Sequence, residues 1–209
     1  MVCLGFDASG KDVVAGVISN FNNYYEVVLR DMSGTENLIR AIEMCLSHEN
    51  LTIDDVQYVA IGIGPGSWTG SRVAVVTGLG LIAGMKVKPE VFTFDSFDLI
   101  AYNELEEEEE EREDAVYLVK AYANYIYAKE QDGEPFFVSK DEFEEKYSIE
   151  NSYSLDPIFE ETKIVDRNLK AVLVHKLANN DVVDIESVEP MYLRASQAEL
   201  QLNSKNKGR

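Results

Sequence analysis

Between positions 58 and 84 the chain changes its pattern once, and abruptly. An apolar run over residues 58–63 enters the stretch, Gly64-Pro65-Gly66 stops it, and a segment rich in Val, Ala, Gly and Leu follows at helical spacing. This order predicts a strand, a tight turn and a helix. Gly64 and Gly66 supply backbone angles that a side chain resists. Pro65 fixes one torsion and offers no N–H. Ser67 or Thr69 can cap the first helical turn. A junction of this kind aims backbone N–H groups and a helix N-terminus at one point, which suits an anion or a partner's backbone. A plain sharp turn has the same spacing. The helix predicted over residues 69–84 contains Gly70, Ala74, Gly78, Gly80 and Gly84. Each interior glycine costs it about 1 kcal/mol against alanine. Val73, Val75, Val76, Leu79, Leu81 and Ile82 surround nearly its whole circumference, so the helix is expected to be buried all round.

The stretch before this junction reads as three strands over residues 3–8, 13–19 and 24–30, with short polar turns and a hairpin at Phe21-Asn22-Asn23. Asp7 near the end of the first strand suits either a turn cap or a residue facing phosphate or metal. Ser33-Gly34-Thr35-Glu36 is a capping box for a helix to about Ser47. Leu38, Ile42 and Cys45 share a face of that helix, with Ile39 and Leu46 beside it. A weaker capping signal, Thr52 to Asp55, precedes the central strand. After the junction a strand is expected over 91–94 and a helix over 97–102, capped by Asp95 or Ser96. Residues 104–114 carry nine acids and one arginine and read as a solvated surface stretch.

The second half opens with strands over 115–121, 125–130 and 135–138, then a capping box at Ser139-Lys140-Asp141-Glu142. Residues 149–165 are poorly patterned. An amphipathic helix is expected over 168–179, and residues 182–194 close the fold. Both halves begin with three strands and reach a helix, which suggests duplication of one unit.

Charge and chemistry narrow the function. The net charge of −19 argues against an unaided grip on nucleic acid or an anionic membrane. Cys3 and Cys45 read as buried free thiols rather than a disulfide framework. No opening segment has the form of a cleavable signal, and no apolar stretch reaches a membrane span, so a cytoplasmic protein is expected. His48 and His175 do not form the close pair that a metal site needs. The Gly-Pro-Gly junction lacks the lysine of a phosphate-binding P-loop and the third glycine of a dinucleotide fingerprint. No nucleophile elbow is present. The residues thus form a demanding junction without a visible catalytic set.

Gly64-Pro65-Gly66-Ser67-Trp68-Thr69-Gly70-Ser71-Arg72 and the small-residue helix behind it resemble the signature of the bacterial TsaB family, also called YeaZ, usually Gly-Pro-Gly-Ser-Phe-Thr-Gly-Leu-Arg. Leu4-Gly5-Phe6-Asp7-Ala8-Ser9 resembles that family's opening strand, and Pro190-Met191-Tyr192-Leu193-Arg194 its Pro-x-Tyr-Leu-Arg segment. The resemblance implies an α/β fold of the two-lobed actin-like ATPase (ASKHA) type, a duplicated βββαβα motif with a reduced second lobe. Residues 1–103 would form the first lobe, 104–114 an acidic surface linker, 115–202 the second lobe and 203–209 a disordered tail.

The resemblance also implies a non-catalytic scaffold in the complex that makes threonylcarbamoyladenosine in tRNA next to the anticodon. A TsaD-like transferase subunit would be the direct partner and a TsaE-like ATPase a further one. tRNA would be met only through the complex. A duplicated fold with an apolar helix makes a self-dimer of the isolated protein the expectation, with a monomer left open. No cofactor would be required, with nucleotide binding left open. The pairing surface would use Leu38, Ile42 and Cys45 on the first helix and Val75, Leu79 and Ile82 on the second. Asp7, Gly64, Gly66, Ser67 and Thr69 would form a ligand site or a structural turn, and no metal site is expected. Gly34 stands where relatives often carry a histidine, and Lys120-Ala121-Tyr122 where they commonly show Asp-Ala-Arg. The alternative is a nucleotide-dependent kinase or ATPase using Asp7 and the junction, with a metallopeptidase a distant third.

Overall fold

A computed structural model describes residues 1–20, 23–32, 34–107 and 114–194, with residues 104–107 by backbone alone. The expected Ser33 cap, Phe21 and Asn22 of the hairpin, most of the acidic stretch and the expected tail at 203–209 lie outside the described residues.

The first sheet is built from β1 (Val2–Asp7), β2 (Val13–Ser19), β3 (Asn23–Leu29), β4 (Tyr58–Gly62) and β5 (Glu90–Phe94). Its spatial order is β3-β2-β1-β4-β5. The first three strands are antiparallel neighbours, and β4 and β5 join in parallel. The second sheet repeats this plan with β6 (Val116–Lys120), β7 (Tyr125–Glu130), β8 (Phe136–Ser139), β9 (Ser152–Ser154) and β10 (Lys163–Ile164). Its order, read from the far edge, is β8-β7-β6-β9-β10, with the same antiparallel and parallel pairings.

Parallel neighbours need crossovers. In the first lobe these contain the helices α1 (Gly34–His48) and α2 (Trp68–Gly84). A third helix, α3 (Ser96–Glu107), follows β5. In the second lobe α4 (Lys140–Lys146) takes the place of α1, and α5 (Leu169–Asn179) that of α3. The link from β9 to β10 contains no helix. The chain therefore has the α/β, actin-like two-lobed duplication, with the second copy reduced.

Strand alternation decides which helix covers which face. Leu4 and Phe6 of β1 point into one core with Leu38 and Ile42 of α1 and Ala74 and Ile82 of α2. Cys3 points the other way, into a core with Val14, Phe92, Leu99, Val172 and Leu173. The last two belong to α5, which packs on β1 and β2. The sequence boundary at residue 115 puts α5 in the second lobe, but its contacts put it on the first sheet. Gly5 makes the fit: a Cβ there would lie 2.5 Å from a methyl of Leu173. In return, Phe97 and Ile100 of α3 pack with Tyr117, Tyr127 and Tyr153 of the second sheet. Each lobe thus lends one helix to the other, and α3 and α5 pack together between the sheets. Asn103, buried between them, donates to the Leu99 carbonyl at 2.6 Å and the Asn168 carbonyl at 2.9 Å. Lys176 of α5 lies 3.3 Å from Asp98 of α3.

Local signals explain most element ends. Ser67 accepts from Gly70 N–H at 3.1 Å and Ser139 from Glu142 N–H at 3.2 Å, both as N-caps. Asp95 and Asp98 cap α3 reciprocally, Asp95 Oδ1 accepting from Asp98 N–H at 2.7 Å and Asp98 Oδ2 from Asp95 N–H at 3.2 Å. The helix then runs past the expected Tyr102 to Glu107, so the acidic stretch begins inside its last turn. Cys3 and Cys45 are free and buried, and burial pushes both thiols up to about 12.

Candidate functional site

The three segments that carry the family resemblance meet at one place, the end of the cleft between the lobes. Asp7, at the C-terminal end of β1, is buried. Its Oδ1 accepts from Ser9 N–H and its Oδ2 from the Ser9 hydroxyl, each at 3.0 Å. This is an Asx-type turn, in which the carboxylate stands in for backbone acceptors. The Ser9 carbonyl accepts from Ser67 N–H at 2.6 Å, which ties the first turn to the Gly-Pro-Gly junction. Ser96, at the start of α3, donates its hydroxyl to the Pro65 carbonyl at 2.8 Å and its N–H to the Gly64 carbonyl at 2.8 Å.

Two glycines in this knot are required by geometry. Gly64 has φ +88°, a conformation that favours glycine, and precedes a cis bond to Pro65. A Cβ on Gly70 would lie 1.9 Å from the Ala8 carbonyl oxygen. Ser67 is the helix cap, while Thr69 is exposed on the first turn of α2. Of the turn residues expected from the sequence, Asp7, Gly64, Gly66 and Ser67 come together around the Ser9 and Ser96 hydrogen bonds, while Thr69 lines a neighbouring hollow with Ser67 and Gly10.

The C-terminal segment completes the knot. Met191 N–H donates to the Ile63 carbonyl at 2.8 Å. Tyr192 stacks on Trp68 with ring centroids 4.0 Å apart, and its hydroxyl accepts from Arg72 Nε at 2.7 Å. Two residues later the chain has reached the second lobe. Arg194 Nε donates to the Tyr127 hydroxyl at 3.1 Å, and its guanidinium lies 4.3 Å from the Tyr122 ring centre. The segment therefore clasps α2 on one side and β7 on the other.

Between these walls is a cavity of about 380 Å³. Asp7, Ser9, Ser67, Trp68 and Ser96 line it from the first lobe, and Leu118, Lys120, Tyr122, Tyr127 and Asp156 from the second. Arg167, just before α5, and Arg194 close it. Arg167 donates to the Asp12 carbonyl at 3.4 Å and lies 3.8 Å from the Asp156 carboxylate. Arg167 was not legible as a site residue, and Lys120 and Tyr122 were noted only as departures from the family's Asp-Ala-Arg. Cations on a strand end and before a helix in a strongly acidic chain were the available signal. Beside the junction, burial and then the neighbouring Asp98 raise Asp95 to about 6, while Lys129 opposes the shift.

The outer helix pair differs from expectation. Leu38, Ile42, Cys45, Val75 and Ile82 are buried in this chain's own core, and Leu79 is partly buried against it. The five buried residues form no outward surface, which corrects the expected pairing set for them, and Leu79 alone of the six keeps a partly exposed side. Nor is α2 buried all round. Its exposed stripe is Arg72, Val76, Gly80 and Gly84 at helical spacing. Val76 is 68% exposed, and a Cβ on Gly80 or Gly84 would touch nothing within 4 Å. Gly78 instead admits Ile61, whose Cδ1 would lie 2.5 Å from an added Cβ. On α1 the exposed apolar residues are Ile39 at 44% and Met44 at 42%. Helical phase separates each from its buried neighbour, and the wide apolar arcs hid that phase.

His48 stacks on Tyr25 and His175 on Tyr102, with centroids 3.6 and 4.1 Å apart. Among the described residues no three His, Cys, Asp or Glu side chains converge, and no helix is long and apolar enough to cross a membrane.

Comparison with known proteins follows the same lines. The family model described as TsaD, tRNA N6-adenosine threonylcarbamoyltransferase, matches residues 32–143, more than half of the chain. A crystal structure from Pseudomonas aeruginosa, described as an uncharacterized protein with similarity to the peptidase YeaZ, is 15% identical with a TM-score of 0.73. A second structure, YeaZ from Pseudomonas aeruginosa, is 15% identical with a TM-score of 0.71. Each alignment covers 92% of this chain and 99% of the other. These likenesses show the fold.

Proposed function

Since the chain belongs to the TsaD family, the tRNA N6-adenosine threonylcarbamoyltransferases, we propose that it serves there as the TsaB-type partner subunit. Its work is to hold a TsaD-like transferase subunit in the complex that makes threonylcarbamoyladenosine next to the anticodon. Its own role is non-catalytic, it acts in the cytoplasm, and tRNA is met through the assembled complex. A TsaE-like ATPase joins that assembly, and in isolation the same helix pair joins two copies.

The observation that carries this reading is the outward face of α1 and α2. Val76 is exposed on α2 beside two open glycines, and the neighbouring α1 exposes Ile39 on one flank of its buried face and Met44 on the other. An exposed valine in line with bare glycine backbone at Gly80 and Gly84 fits a surface that another helix approaches closely. Trp68, Arg72 and Tyr192 brace the start of α2.

The test is to mix the purified chain with its cognate TsaD-type subunit and follow both by size exclusion with light scattering. A one-to-one heterodimer is expected, and threonylcarbamoyladenosine formation should need both proteins. Two separate peaks, or full modification by the partner alone, would refute the reading.

A further inference from the structure

We propose that Arg72 is a preset receptor for one carboxylate of the partner protein, an aspartate or glutamate side chain opposite the start of α2. The inference rests on the partner-subunit reading and adds the chemistry by which the partner is recognised. α2 carries no charged residue other than Arg72. Arg72 is exposed and stands at the head of the stripe that continues through Val76, Gly80 and Gly84. In a chain with a net charge of −19, a lone cation on an otherwise uncharged helix face needs a reason.

The geometry around Arg72 supplies one. Its Nε donates to the Tyr192 hydroxyl at 2.7 Å. Its guanidinium carbon lies 5.0 Å from the Trp68 ring centre and 5.6 Å from that of Tyr192, within cation–π range of both. The two rings stack on each other with centres 4.0 Å apart, and Met191 N–H ties the Tyr192 segment to the Ile63 carbonyl at 2.8 Å. An exposed arginine on a flexible stem loses rotamer freedom when it pairs, which cancels much of the gain. Here that freedom is already lost within the chain, before any partner arrives. The edge left free is the useful one. Among the described residues no carboxylate pairs with Arg72, and Tyr192 is its hydrogen-bond partner. Tyr192 engages Nε alone, so the Nη1 and Nη2 hydrogens remain for paired bonds to the two oxygens of a carboxylate.

An RNA phosphate suits this face less well. Nucleic acid is held by several cations along its backbone, and the stripe beyond Arg72 offers a valine and bare glycines. A protein helix with a carboxylate facing Arg72, and small or apolar residues facing Val76, Gly80 and Gly84, matches the whole stripe.

The test is titration calorimetry of the full chain with its cognate TsaD-type subunit, comparing the parent with Arg72→Gln, Arg72→Lys and Tyr192→Phe. Arg72→Gln should weaken pairing about tenfold or more, the loss of charge-assisted paired bonds. Arg72→Lys should not restore it, because a point charge lacks the planar fork. Tyr192→Phe keeps the ring and frees Nε, and should weaken pairing only about threefold. Affinity should fall less steeply with salt in Arg72→Gln than in the parent. In the Arg72→Lys complex, carbodiimide should join position 72 to an aspartate or glutamate of the TsaD-type subunit, read by peptide mass spectrometry. Circular dichroism checks folding, which the replacement of an exposed side chain should leave intact. A parent chain that does not pair refutes the partner-subunit reading and this inference with it. A parent that pairs, but no more tightly than Arg72→Gln or Arg72→Lys, overturns this inference alone. Equal losses in Tyr192→Phe and Arg72→Gln would leave the arginine a brace for α2 and overturn it too. So would tRNA binding by the isolated chain that Arg72→Gln abolishes.

Discussion

Val75 and Val76 are adjacent in α2 and chemically identical, yet the structure assigns them opposite consequences. Val75 is 3% exposed and packs in the first lobe's core, whereas Val76 is 68% exposed. Val75→Glu would put a carboxylate in an apolar site without a partner. Such a burial costs several kcal/mol, comparable to the roughly 5–15 kcal/mol that stabilises a domain. This variant should be largely unfolded. Val76→Glu leaves the charge in water, and surface changes of this kind stay within about 0.5 kcal/mol. In the proposed heterodimer the balance reverses. Covering the exposed part of the valine is worth about 1–2 kcal/mol, and a desolvated, unpaired carboxylate costs about 2 kcal/mol more. The sum of about 3–4 kcal/mol corresponds to a roughly 100- to 1,000-fold loss of affinity for the TsaD-type subunit. Thermal melts by circular dichroism report folding, and titration calorimetry with the partner reports pairing. Normal pairing by Val76→Glu would refute the assignment of this face. A folded Val75→Glu that fails only in pairing would refute the burial argument.

Leu173→Ala should cost about 2–5 kcal/mol, read from urea unfolding, because Leu173 fills the space over Gly5 and leaves a cavity when shortened. Asp95 predicts a pH effect with a definite sign. Its folded value, about 6, lies above the ordinary 3.8, so the folded state binds more proton between those limits. This contribution to stability is present below pH 3.8 and is lost as pH rises through about 6. Asp95→Asn keeps an acceptor for Asp98 N–H and removes the titration. The difference in unfolding free energy between variant and parent should therefore grow from about pH 4 to about pH 7 in the variant's favour, and a constant difference would contradict it.

The sequence was most legible where a local signal and a long-range need coincided. Ser67 and Ser139 were readable as caps because a cap is set by the few residues around it. The three opening strands of each half were readable from their apolar patterns. β9 and β10 were not, because strands of three and two residues are held by neighbours rather than by their own pattern. Val75 and Val76 could not be told apart, since α2 is apolar on nearly all sides and only its docking on the sheet fixes the outward stripe. The cleft was least legible. Lys120, Arg167 and Arg194 are far apart in the chain, and only the joining of two lobes makes them one lining.

The exchange of helices between the lobes also sets an order for the protein's birth. The last strand of the first sheet is complete at Phe94, but the helix that covers that sheet's second face ends at Asn179, about 85 residues later. At ~5–20 residues per second, a ribosome needs roughly 4–17 s to deliver it. Throughout that interval Cys3, Val14, Ile18 and Phe92 have no cover from α5. The nascent first sheet is thus a natural client for a chaperone. A fragment released before residue 169 would carry an adhesive face, whatever the quality of its own strands.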